Sequence, residues 1–235
     1  FVVSMKDHCK NIMFSKETLI NKSGTIANFN GDIKLNIPNI NNTDGSIVAK
    51  NNLTIGNLGS FTTHGTMAAY NQFNLEAQKL TISDALYAGN ALNLTTTSSD
   101  EDSMVIGSDK WILSDGDINL SSSGGVINRG DIEAKASIVI DGSVVKNESA
   151  ASIVGLSSVN INSDTDIVNQ SQIYGGAADI TAGNDVINNG TIDSNGNFIL
   201  KANTIENNNR LFSKGNMILN INDSITNTEG SNILT

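Results

Sequence analysis

The sequence predicts an all-β fold, a right-handed parallel β-helix (a solenoid) of coils about 19–22 residues long. Three observations predict it. A short phrase recurs, in which an aliphatic residue, an Asn and a small residue lead to another aliphatic: V-I-N-R-G-D-I (Val126 to Ile132), I-V-N-Q-S-Q-I (Ile167 to Ile173), V-I-N-N-G-T-I (Val186 to Ile192) and I-E-N-N-N-R-L (Ile205 to Leu211). The asparagines keep time: Asn128, Asn147, Asn169, Asn188, Asn207 and Asn227 are 19, 22, 19, 19 and 20 residues apart, and Asn21 and Asn42 are 21 apart. Each phrase is followed by a short run of alternating apolar residues, the period-2 signal of a strand.

The elements follow in chain order. Residues 1–16 do not fit the repeat; Phe1, Val2, Val3, Met5, Ile12, Met13 and Phe14 suggest a cap or a partial coil. Residues 17–235 read as one β-helix domain of about eleven coils. The alternating runs are Ile33-Leu35-Ile37, Leu53-Ile55, Phe73-Leu75 and Leu92-Leu94, then Ile118-Leu120, Ile138-Ile140, Val159-Ile161 and Met217-Leu219-Ile221. Between 95 and 117 the register blurs. T-T-T-S-S-D-E-D-S predicts a loop between coils, and Trp111-Ile112-Leu113 the next strand. Gly, Asn, Asp and Ser between the runs are turn residues, several able to take φ > 0, and Gly24, Gly45 and Gly65 recur at the same place in the phrase. Each unit therefore holds two or three short strands. It cannot bury its apolar face alone, and stacked copies make a continuous core. Equivalent asparagines then lie above one another, ~4.8 Å apart, and their amides form a ladder. Eleven coils at that spacing make a rod of roughly 50–55 Å. The period also suits a leucine-rich repeat, but the L-x-x-L-x-L pattern is missing, and a propeller blade needs about twice the length.

Composition narrows the function classes. Hydrophobic residues make up 38% and charged residues 16% of the 235, with a single proline, Pro38. The abundance of Ile and Val argues for order, and 5% aromatics for a core of small aliphatics. A net charge of −10 with no Lys/Arg cluster argues against nucleic acid or an anionic membrane as main partner. No apolar run approaches the ~18 residues of a membrane helix, so the chain is not expected to span a membrane. The opening residues lack the order of a signal peptide, and the chain is expected to be an internal piece of a longer protein. Cys9 is the only cysteine, so no internal disulfide forms.

The I-x-N-x-G-x-I phrase followed by an alternating strand, in Asn21 to Ile37, Asn128 to Ile140 and Asn169 to Ile221, resembles the repeats of filamentous haemagglutinin-like exoproteins. That group includes two-partner-secretion adhesins and contact-dependent growth-inhibition effectors. The resemblance implies a β-helical filament, secreted by a Gram-negative cell through an outer-membrane transporter and displayed on its surface. It implies a stalk, adhesin or toxin-delivery arm whose partner is a receptor, protein or glycan, on a host or neighbouring bacterium. Virulence is the setting such proteins serve. A low cysteine content is also a family trait.

The residue types needed for chemistry are scarce, and no catalytic, cofactor or metal site is expected. His8-Cys9 supplies two ligands where zinc needs three or four. His64 sits in a turn before Gly65. S-D-G-D-I-N (Ser114 to Asn119) and G-N-D (Gly183 to Asp185) lack the full spacing of a calcium loop. No G-K-[ST] follows Gly175-Gly176, so no phosphate loop forms. N-x-[ST] triplets such as those at Asn52 and Asn189 are expected by chance in so Asn-rich a chain. The alternative to a structural role is a carbohydrate-active β-helix enzyme, a polysaccharide lyase or glycosidase using Asp/Glu on one face. Asp100, Glu101, Asp102, Asp109, Asp115 and Asp117 gather in one stretch. Asp109, Asp131 and Glu148 have coil-like spacing but occupy different points of the phrase. For partner contact the candidates are Trp111 with the acidic loop beside it, Asp100, Glu101 and Asp102, because exposed aromatics anchor interfaces. Tyr70, Tyr87 and Tyr174 are the only other Trp/Tyr residues.

Overall fold

The computed structural model describes residues 2–4, 11–14 and 17–235. Among the described residues it is a parallel β-solenoid of about 11 turns, 65% strand and without helix. His8 and Cys9, with most of segment 1–16, lie outside the described residues. Val2–Ser4 and Asn11–Phe14 pair in parallel with Thr25–Asn28 and Asp32–Asn36, as coil strands do.

Each regular coil carries three strands, on three faces. In one coil Asp117–Ser122 lies on the second face, Val126–Asn128 on the third and Asp131–Ala134 on the first. The first face is a 12-stranded parallel sheet running from Val2–Ser4 to Asn232–Leu234. The second and third faces join into a 16-stranded sheet, because Leu53–Thr63, Gln72–Ile82, Phe198–Asn207 and Met217–Asn227 run unbroken round the corner between them.

Alternation builds the core. Along each strand every second side chain points inward, so one position per coil becomes a column. On the first face the inward column reads Ile47, Met67, Leu86, Ile112, Ile132, Ile153, Ile173, Ile192 and Leu211, all fully or almost fully buried. Phe73 and Phe198 are the largest buried side chains; branched aliphatics supply most of the rest. Turns stack as tightly as strands. A Cβ on Gly45 would stand 2.1 Å from the Asn21 carbonyl oxygen, and one on Gly65 2.4 Å from that of Gly45. Gly65 also has φ +72, a conformation that costs a residue with a Cβ. These contacts account for the recurrent glycine.

The blurred stretch is one long coil. Asn93 and Asn119 are stacked neighbours 26 residues apart. Most of the added length is a loop at the corner between the second and third faces, and the rest falls in the turn before Trp111. Within the blurred stretch but beyond the predicted loop, Met104–Ile106 is a strand with no sequence signal of its own; it continues the third face by pairing with Leu80–Ile82 and Val126–Asn128. The stack thus passes through the irregular coil without a break.

Candidate interaction surface

The asparagines close the inside of one corner. Asn128, Asn147, Asn169, Asn188 and Asn207 end their third-face strands with buried side chains. Each amide nitrogen donates to the side-chain oxygen of the Asn one coil on, at 2.9, 2.8, 2.8, 2.8 and 2.7 Å, ending on Asn227. The second amide hydrogen goes to a backbone carbonyl, of Ser152, Gln172, Thr191, Arg210 and Asn232 in turn. The side-chain oxygens of Asn128 and Asn169 also accept from the backbone N–H two residues on, which bends the chain into the next face. A primary amide has an acceptor and a donor that repeat by simple translation, and a second donor left for the backbone. A second ladder of the same kind opens at Asn21 and Asn42, 2.6 Å apart.

The inner ladder is interrupted between these two runs. There the column reads Thr63, Ile82 and Ile106, in register with Asn128. Apolar side chains seal the corner where the long coil lies. Polar ladders also run along the outside: Asn93 donates to Asn74 at 2.7 Å, Asn119 to Asn93 at 2.8 Å, and Asn71 and Asn90 link to Asn51 and Asn71. The second face thus presents mostly amides and hydroxyls.

The first face presents something else. Trp111, Tyr70, Tyr87 and Tyr174 all stand on or at the margin of its outer side, with Leu113 and Phe212. Trp111 is 46% and Tyr70 58% exposed. Tyr70 and Tyr87 meet edge to face, centroids 6.3 Å apart. Lys50 lies over the Tyr70 ring at 5.0 Å and Arg210 over Phe212 at 4.9 Å. Arg210 also grips Asp193 through two bonds of 2.9 Å. The Tyr87 hydroxyl donates to Asp115 at 2.8 Å and Lys135 pairs with Asp115 at 2.7 Å. Lys135 first, then Tyr87, holds the Asp115 carboxyl below its usual range. That carboxylate in turn pushes the Tyr87 hydroxyl up. Around Trp111 a shallow depression of about 430 Å³ is lined by Leu113, Asp131, Glu133 and Ser152.

The predicted contact cluster is divided. Asp100, Glu101 and Asp102 project at the corner of the second and third faces, whereas Trp111 stands on the first, beyond the strand Met104–Ile106. The expectation that Trp111 lies beside the acidic loop is therefore corrected: residues close in sequence are separated because the chain turns a corner between them. The loop is also tied down. Lys79 bridges Asp100 and Asp102 at 2.9 Å each, Ser98 donates to Asp100 at 2.7 Å, and Lys146 pairs with Glu101. Lys79, then Ser98, holds the Asp100 carboxyl below its usual range.

The other chemical candidates are dispersed. Glu148 pairs with Arg129 at 2.9 Å, Asp131 accepts from Ser152 at 2.6 Å, and Asp109 sits in the turn before Trp111 with φ 58. Among the described residues no three His, Cys, Asp or Glu side chains gather as a metal site would need, and no helix is long and apolar enough to cross a membrane. The chain matches no protein-family model, no curated protein and no solved structure.

Proposed function

We propose that this chain is a structural and adhesive segment of a secreted, surface-displayed filament, carried out through an outer-membrane transporter, in which the first face makes contact with a receptor on a host cell or a neighbouring bacterium. One observation carries the reading. The repeat satisfies its own buried polar groups by stacking, yet all four Trp/Tyr side chains stand on the outside of a single face. A shaft alone has no use for them there, and large aromatic side chains supply contact area at interfaces. The role is non-catalytic. Of the acids that would serve a sugar-cleaving enzyme, Asp100, Glu101, Asp102, Asp115 and Glu148 are paired with lysine or arginine and Asp131 with Ser152, on different faces.

Labelled protein titrated onto mammalian and Gram-negative bacterial cells tests the reading. Saturable binding to one of them is expected, lost in the Trp111→Ala, Tyr174→Ala double variant and kept in a second-face variant, Asn160→Ala. Binding that both variants lose equally, or no saturable binding at all, would overturn the assignment. Release of reducing ends or unsaturated sugars from a polysaccharide panel would replace it with the enzymatic reading.

A further inference from the structure

The first face twice meets the same need with the same parts. Arg210 sits over Phe212 and is held by Asp193; Lys50 sits over Tyr70. In each, a cation belonging to this chain covers an outward aromatic ring, half-buried in Phe212 and exposed in Tyr70. In the first, a carboxylate from the adjacent coil fixes the cation. Around Trp111 the aromatic ring and the carboxylates are present, but the cation is not. Trp111 is in register with Asp131, and Leu113 with Glu133, one coil on, so the paired backbones stand about 5 Å apart along the stack. All four line the depression. Of the cations nearest in the chain, Arg129 is paired with Glu148 and Lys135 with Asp115, while Lys110 forms no ion pair among the described residues. Among the described residues no cation covers the Trp111 ring.

We infer that the Trp111 depression is a binding site for a cationic side chain, an arginine or lysine of a partner protein's extended segment, seated on the indole face and held by Asp131 and Glu133. Tryptophan is the best ring for a cation, and burial beneath the partner strengthens the attraction. Asp131, which accepts from Ser152, and Glu133, which has Lys135 in its field, form no ion pair among the described residues, and on a chain of net charge −10 they complement a positive group. A neutral sugar would use the ring and the hydroxyl-accepting oxygens but gain nothing from the charge. The inference rests on the first face being a contact surface, and gives that contact its chemistry.

Trp111 is the only tryptophan, so emission of the full chain excited at the red edge, beyond tyrosine absorption, reports this site alone. The probe is a short acetylated, amidated peptide, Gly-Arg-Gly-Arg-Gly. Its counterpart carries citrulline for arginine, which keeps the shape and removes the charge. A saturable change in Trp111 emission is expected with the arginine peptide. The citrulline peptide should bind at least about threefold to fivefold more weakly. Glu133→Gln and Asp131→Asn should each lower the arginine affinity, with circular dichroism unchanged, and added salt should weaken it. Equal response to both peptides, no saturable response, or a response to a neutral oligosaccharide such as maltotriose alone would overturn the cationic assignment. Each of these results leaves the cell-contact assay to decide separately whether the first face is a contact surface.

Discussion

Asn188 shows what the repeat demands of one residue. Its side-chain oxygen accepts from Asn169 and its amide donates to Asn207 and to the Arg210 carbonyl, all without water. Replacement by Ala leaves the Asn169 amide to the Ser171 and Thr191 carbonyls and strands two acceptors, the Asn207 side-chain oxygen and the Arg210 carbonyl. A buried polar group left without its partner costs about 1–3 kcal/mol, so Asn188→Ala is expected to destabilise the fold by roughly 2–4 kcal/mol in urea unfolding. Asn188→Asp should be no better, because a carboxylate cannot donate to the next coil. A loss below about 0.5 kcal/mol, the range of an ordinary surface substitution, would show that the ladder is incidental. The ladder was legible in the sequence at this residue, since only a stacked amide explains an Asn every 19 or so positions. Its interruption was not. Thr63, Ile82 and Ile106 occupy the same column, but an Ile gives no sign that it stands in for an Asn.

At the scale of the element, the 97–103 loop is the informative case. Its three acids are paired with Lys79 and Lys146 on the surface. Exposed ion pairs contribute little to global stability. Lys79→Met is therefore expected to leave the unfolding midpoint nearly unchanged while loosening the loop. The sign of the pH effect follows from Asp100. Its folded pKa is lowered from 3.8, so whatever the pairing contributes is present above that value and is lost as pH falls through the lower folded one. A carboxyl NMR titration should place the Asp100 midpoint below 3.8, and Lys79→Met should move it back up; an unmoved midpoint would contradict the bridge. The loop was legible as irregular, from the run of Ser, Asp and Glu. The strand Met104–Ile106 within the same region was not, because three residues are too few for a period and the 26-residue coil breaks the count.

At the scale of the molecule, local alternation becomes three faces of different chemistry. The inward columns could be read from the sequence, because period 2 and the coil length fix them together. The gathering of Tyr70, Tyr87, Trp111 and Tyr174 on one face could not. They sit at unequal spacings, and only the register, set partly by the long coil, brings them to the same side. In a stack, each coil is stabilised mainly by the coils above and below it, so outward positions are free to specialise without disturbing the core. Amides on the second face and aromatics with acids on the first are two such outcomes.

The claim beneath all of this is that coils stack in parallel in the asparagine register. Cysteine pairs test it most directly, in a Cys9→Ser background. Gln172 and Thr191 are in-register neighbours on the first face, and Thr191 and Arg210 are the next pair. In-register Cα atoms lie about 4.8 Å apart, inside the 4.4–6.8 Å range of a disulfide, whereas two coils span about 10 Å. Gln172→Cys with Thr191→Cys should close an intramolecular disulfide on mild oxidation, seen as a mobility shift reversed by reductant, and Gln172→Cys with Arg210→Cys should not. Closure of the second pair as readily as the first, or failure of the first pair in a folded protein, would contradict the stack.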